Sequence, residues 1–183
     1  MPLTDAELRA ATEGALEPHE APIALAEYDP GWPVRYRAEE ARVRAALGVR
    51  VRQLEHVGST AVPGLAAKPL VDMVLAVADS ADEGAYAPAL EAAGYRLRIR
   101  EPGWHEHRMF LGPAGDVHLH VFSAGCPEIA RLLRFRDRLR SEPAERALYE
   151  RTKRELAGRR WRFVQNYADA KSEVVEAILA RAP

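Results

Sequence analysis

The stretch from Leu54 to Val77 constrains the fold more than any other. In it two apolar runs, Val51–Val57 and Leu70–Val77, flank a turn built of small and hydroxyl-bearing residues. Short runs rich in Val and Leu read as strands. Between them Gly58, Ser59 and Thr60 offer successive amides and two hydroxyls, a combination suited to meeting an anion. Asp72 then projects from the second strand.

The rest of the chain supplies helices to cover that sheet. Its 183 residues are 48% hydrophobic, enough for one domain with a sizeable core. Thr4-Asp5-Ala6-Glu7 reads as a helix start, broken at Gly14 and Pro18, and residues 1–21 are expected to form an N-terminal arm to a single domain over 22–183. Ile23–Glu27 reads as a short strand, closed by Tyr28-Asp29-Pro30-Gly31. A helix follows from about Trp32 to Leu47, stopping at Gly48, with Val34, Ala38, Ala41 and Ala45 expected on its inner face. A helix over Asp82–Ala93, a strand over Tyr95–Ile99 and a hairpin, Arg108–Leu111 then Val117–Phe122, come next. From Pro127 the pattern is helical: Glu128–Arg140, Ala144–Ala157 and Asn166–Ala180, the last with an apolar stripe of Val174, Val175, Ile178 and Leu179. The expected class is α/β (α+β), a mixed sheet flanked by helices with a helical C-terminal third.

Charge narrows the partners. The formal net charge of −1 gives no global attraction to nucleic acid or an anionic membrane. Residues 131–162 do hold twelve Arg or Lys against five Asp or Glu. Interleaved glutamates and the lack of aromatic spacing argue for a solvated helical face there, not a nucleic-acid patch. No apolar run approaches the roughly 20 residues that cross a bilayer. A lone Cys126 and the lack of a leader-like segment point to the reducing cytoplasm. Nothing in the sequence fixes an oligomeric state.

A strand, then Gly-Ser, then a second strand bearing a carboxylate is how nucleotidyltransferases hold a nucleoside triphosphate. The glycine lets the backbone approach the phosphates, the serine binds them, and carboxylates hold Mg²⁺. Here Gly58, Ser59, Thr60 and Asp72 fit, but the second carboxylate expected two residues beyond Asp72 is Val74. On Val117–Phe122 the alternation places His118 and His120 on one face. With Asp72 they make a candidate two-His, one-carboxylate set for a transition metal, or else substrate contacts or hydrogen-bonded sheet histidines. Lys68, held extended before Pro69, is a candidate phosphate contact. Arg108 is a candidate fork for phosphate or carboxylate, with His107 and His56 as candidate substrate contacts.

The residues Glu55-His56-Val57-Gly58-Ser59-Thr60, Val62-Pro63-Gly64-Leu65, Ala67-Lys68-Pro69 and Val71-Asp72 resemble the signature of the GrpB family. The resemblance extends over roughly residues 22–180. It takes in Tyr28-Asp29-Pro30 with Trp32, His107-Arg108 before Phe110, His118-Leu119-His120-Val121, Phe135-Arg136-Asp137 with Leu139-Arg140, Tyr149 with Lys153, and Tyr167 with Lys171. It implies a nucleotidyltransferase-like fold, found in some proteins behind a dephospho-coenzyme A kinase domain, and adds Lys171 as a helix residue reaching toward the site. The expected ligand is a nucleotide or another small phosphorylated molecule. The reactions in view are nucleotidyl transfer with Mg²⁺, non-catalytic phosphate binding, or metal-dependent chemistry through Asp72, His118 and His120.

Overall fold

The structure, a computed structural model, describes residues 4–16, 18 and 22–182. Strands Gln53–Val57 (β1), Val71–Val77 (β2), Arg96–Glu101 (β3), His107–Leu111 (β4) and Val117–Ser123 (β5) form one mixed sheet in the order β1-β2-β5-β4-β3. β2 and β5 run parallel, and the other neighbours pair antiparallel. β2 is the most apolar strand, with six of its seven residues buried, as a central strand covered on both faces must be.

Each face has its own cover. Leu54, Met73, Leu75, Leu119, Val121 and Phe110 pack against Trp32, Val43 and Leu47 of helix Gly31–Leu47 (α2) and Leu90 of Ala87–Ala92 (α3). On the other face Val57, Val74, Ala76 and Phe122 meet Ile129 of Pro127–Ser141 (α4). Each fully buried side chain of this size contributes about 1.5–3 kcal/mol. Pro143–Ala157 (α5), Val164–Asp169 (α6) and Ser172–Leu179 (α7) complete the C-terminal third, with Val62 and Leu65 packed on Leu139, Tyr149 and Ile178.

Several local expectations need correction. The inward stripe of α2 is Trp32, Tyr36, Val43 and Leu47, while Val34 is 57% exposed and Ala38, Ala41 and Ala45 face solvent. Large side chains gain more by burial than alanines lose by exposure, so the helix turns its bulk inward. Asp82–Ala93 is a 3-10 turn at Glu83–Ala85 followed by α3, whose first turn holds Pro88, a position where its missing N–H costs no helical bond. Ile23–Glu27 forms no strand; Ala26 makes one isolated bridge to Ala67. Asn166–Ala180 is divided into α6 and α7 around Ala170 and Lys171.

At the N-terminus Thr4 and Glu7 form a capping box on Asp5–Ala11 (α1), as the sequence suggests. The arm then pairs with the outer edge of β3: the Glu13 amide donates to Arg98 O at 2.8 Å, and the Arg98 guanidinium donates to the carbonyls of Glu13 and Ala15. It covers an edge that would otherwise present unpaired amides. Of this arm, residues 1–3, 17 and 19–21 lie outside the described residues.

Candidate functional site

The register pairs Val57 with Asp72, so the chain leaves β1 directly over that carboxylate. Gly58 makes this possible. Its φ of 69° and ψ of −172° belong to a region only glycine enters readily, and a Cβ there would lie 2.5 Å from Asp72 Oδ2. Ser59–Ala61 form a single 3-10 turn. Beneath it Thr60 is buried, its hydroxyl 3.0 Å from His56 Nε2, and His56 stacks on Tyr36 with ring centroids 4.8 Å apart. Burial pushes the His56 pKa down to about 4, so this ring is neutral. Two arginines of α4 grip the backbone on either side of the turn: Arg136 donates to His56 O and Arg140 to Ala61 O, each at 2.9 Å. Ser59 is half-buried and lies beside Tyr149 of α5, whose phenol pKa burial pushes up and Ser59 draws back.

His118 and His120 share a face of β5, and the parallel register sets His118 beside Asp72. His118 Nδ1 is 3.5 Å and His120 Nε2 3.8 Å from Asp72 Oδ1. One ligand atom from each side chain falls within a 4.8 Å cluster. The cluster continues sideways across the sheet: His120 Nδ1 lies 3.0 Å from His107 Nε2, and His107 Nδ1 lies 2.6 Å from Glu101 Oε2.

This order of partners fixes the tautomers. Burial pushes the His107 pKa down to about 4 despite Glu101, so the ring is neutral and carries one N–H. The Glu101 carboxylate only accepts, and therefore takes that hydrogen at Nδ1. His107 Nε2 then accepts, His120 donates from Nδ1, and His120 Nε2 is turned toward Asp72 Oδ1. Desolvation pushes the Asp72 pKa up, but the imidazoles of His118 and His120 together hold it well below the usual carboxylate range. Asp72 is an anion at neutral pH.

Lysines gather on the open side. Lys68 and Lys171 are half-buried, and burial disfavours both ammonium groups while Asp72 favours them. Lys171 Nζ lies 4.5 Å from the Tyr167 ring centroid. Lys153 of α5 is 2% exposed; its Nζ donates to Ala66 O and lies 4.9 Å from the Tyr149 ring centroid. Burial, and then Lys171, push its pKa down to about 7.

Most of the residues singled out in the sequence therefore converge: Gly58, Ser59, Asp72, His118, His120 and His107, with Lys68 and Lys171 within electrostatic reach of Asp72. Three do not face the cluster as expected. Thr60, expected to meet phosphate, is buried beneath the turn because its hydroxyl is engaged by His56. Arg108 lies on the opposite face of β4, sharing parity with the core residue Phe110, where it is buried and paired with Glu83 at 2.5 Å. His56 braces the turn from below, with its Nε2 already engaged by Thr60. Val74 has no exposure and lies under α4 with Ile129, so the sheet face stops being open one pleat beyond Asp72. The sequence reading missed Glu101, Tyr149 and Lys153 as members. For the last a signal existed: the chain has three lysines against 23 arginines, and all three are here.

Comparison with known proteins gives one family. Residues 22–181 match the family described as GrpB protein. The UPF0157 protein of Halalkalibacterium halodurans is 57% identical over 181 residues, covering 99% of this chain and 93% of that one. The UPF0157 protein of Streptomyces coelicolor is 48% identical over 165 residues, covering 90% of this chain and 87% of that one. Among solved structures, the conserved protein GrpB from Enterococcus faecalis matches with a TM-score of 0.73 at 29% identity, over 86% of this chain and 98% of that one.

Proposed function

We propose that this chain, which belongs to the GrpB family, is a metal-dependent enzyme acting at the phosphate of a small phosphorylated substrate, with a nucleotide as the leading candidate. Asp72, His118 and His120 would hold one divalent ion, and the Gly58–Ser59–Thr60 turn with Lys68 and Lys171 would hold the phosphate. The observation that carries the reading is the Asp72–His118–His120 cluster, with the hydrogen-bond chain Glu101–His107–His120 holding Nδ1 of His120 and turning its Nε2 toward Asp72. Metal-binding histidines characteristically have their second nitrogen held by such a partner. Two imidazoles and one carboxylate suit zinc, manganese, iron or cobalt better than Mg²⁺, which favours oxygen ligands. The ion would act as a Lewis acid on a phosphoryl oxygen, and the lysines would neutralise the remaining charge. Nucleotidyl transfer to a small acceptor, on a nucleotidyltransferase-like frame, is the form of this chemistry that the strand–Gly-Ser–strand arrangement supports.

The test begins with elemental analysis of protein purified without chelators. About one equivalent of transition metal is expected, lost in Asp72→Asn and His120→Ala. Less than about a tenth of an equivalent, with no uptake of Zn²⁺, Mn²⁺ or Co²⁺ on titration, overturns the metal site. Pyrophosphate release from the four nucleoside triphosphates with the bound metal then tests the reaction. A second reading, a phosphate-binding accessory module without chemistry, is favoured by the buried Val74 where a catalytic carboxylate would stand. Metal and phosphate binding without turnover of any triphosphate would select it.

A further inference from the structure

Among the described residues, four large apolar side chains are exposed: Val34, Val49, Val164 and Trp104. Trp104 is the only aromatic one, at 44% exposure, and it stands in the turn between β3 and β4. The turn is built around it. Its amide donates to Glu101 O at 3.1 Å, and its carbonyl accepts from the His107 amide at 3.0 Å. Glu101 and His107 are the two residues whose side chains lead to His120. The backbone of Trp104 is thus clamped between the first two members of that hydrogen-bond chain. The next residues, His105 and Glu106, have positive φ of 55° and 50°, a conformation that residues with side chains enter at a cost.

The rings extend the arrangement. His107 lies nearly parallel to His120, at 18° with centroids 5.2 Å apart, and to Phe122, at 24° and 4.8 Å. Trp104 stands across this stack, at 81° to His107 and 75° to Phe122, with centroids 5.2 and 5.7 Å away. His105, also exposed, meets it at 61° and 5.4 Å. Among the described residues no aromatic ring lies parallel on the indole. Covering His107, which is 3% exposed, accounts for the pinned part of Trp104 and leaves the exposed part without a partner ring. A pinned, part-exposed indole is a rigid π surface already ordered before a ligand arrives.

We infer that Trp104 is the stacking platform for a planar heteroaromatic ring of the substrate, the base of a nucleotide, and so sets the preference for a nucleotide over a phosphorylated sugar. One imidazole, His107, separates Trp104 from His120, so a ring on the indole and a phosphate at the Asp72 cluster lie within reach of one small molecule. The inference rests on the phosphate reading above and adds the opposite end of the substrate. Every base has a π face, so such a platform selects for a base without selecting among bases.

The test uses the full chain in EDTA, with adenosine, AMP and ribose phosphate as probes. The three tryptophans are labelled with fluorotryptophan, and the Trp104 signal is assigned from Trp104→Phe. Adenosine, which has no phosphate, is expected to shift the Trp104 fluorine signal and leave that of Trp32, 2% exposed, in place. By isothermal titration AMP is expected to bind at least about tenfold more tightly than ribose phosphate, Trp104→Ala to lose that advantage and Trp104→Phe to keep most of it. A Trp104 signal unmoved by adenosine and AMP in the wild type, or an advantage of AMP that survives Trp104→Ala, overturns the platform. The two readings fail separately. Adenosine that shifts Trp104 and binds as tightly as AMP, with no binding of ribose phosphate, keeps the platform and removes the phosphate site; ribose phosphate that binds as tightly as AMP removes the platform alone.

Discussion

Replacing Gly58 by alanine tests whether the turn and the Asp72 cluster are one object. Two separate costs are expected. The φ of 69° with ψ of −172° strains any residue with a side chain, by about 1–3 kcal/mol. The new Cβ would also sit 2.5 Å from Asp72 Oδ2 and 3.1 Å from Asp72 Cβ, so either the carboxylate or the turn must move, at a further cost of about 1–3 kcal/mol. Gly115, in the β4–β5 turn, supplies the control: its φ is 77° and nothing lies within 4 Å of a Cβ there, so Gly115→Ala carries only a backbone cost of about 1–2 kcal/mol. Urea unfolding in EDTA should place Gly58→Ala about 1–4 kcal/mol below Gly115→Ala, with unchanged m-values. Metal affinity by titration should fall about tenfold or more in Gly58→Ala, because the displaced carboxylate is one of the three proposed ligands, and stay unchanged in Gly115→Ala. Equal stabilities for the two variants together with undiminished metal binding in Gly58→Ala would refute the claim that the turn positions Asp72.

Glu101→Met should weaken transition-metal binding about 10–100-fold without touching a ligand, since it frees His107 to reverse the tautomer chain; a change under about threefold would show that the chain does not orient His120. Val74→Asp should not create a second metal-binding carboxylate but should destabilise the protein by several kcal/mol, because it buries a charge under Ile129; a folded variant that takes up a second ion would contradict this. His56 gives a pH dependence of defined sign. Its native pKa is near 4 and its unfolded pKa about 6.5, so above pH 6.5 it is neutral in both states, and below it the unfolded chain takes up a proton the native state refuses. Stability is lost as pH falls from about 6.5 toward 4, by up to about 3 kcal/mol from this group. His56→Gln should remove that share of the slope in urea unfolding between pH 7 and 4.5, and an unchanged slope would place the titration elsewhere.

What could be read in advance was whatever depends on short range. The two strands around the Gly58 turn, the hairpin and the shared face of His118 and His120 follow from period-two alternation and glycine placement, and the structure keeps them. The inward face of α2 was misread because the alanines also recur at helical spacing; size, in Trp32, Tyr36 and Leu47, decides which stripe turns inward. Arg108 was placed with His107 because they are adjacent, yet adjacent strand residues point to opposite faces, and Phe110 two residues on marks the parity of Arg108 as core-facing. Glu101 reaches His107 only because β3 and β4 pair in that register, and Lys153 reaches Ala66 only because α5 packs beside the turn. Such contacts are tertiary, and no local pattern encodes them.

The missing second carboxylate also has a structural cause. β2 runs parallel to β5, which sets Asp72 level with His118 and Val74 level with His120. α4 crosses this face at Val57, Val74, Ala76 and Phe122, and its Ile129 seals the position next to Asp72. A carboxylate at 74 would sit in that seal with no water to solvate it, so the sheet leaves room for one acidic ligand from β2. The other donors must then come from the neighbouring strand, where alternation delivers two imidazoles to the same face, and from β4 and β3, where His107 and Glu101 fix the direction of one of them. One carboxylate and two neutral nitrogens give a bound divalent ion a residual charge of about +1, where a set of three carboxylates would give about −1. On the proposed reading, that residual positive charge would draw a polyanion to the site before any chemistry begins.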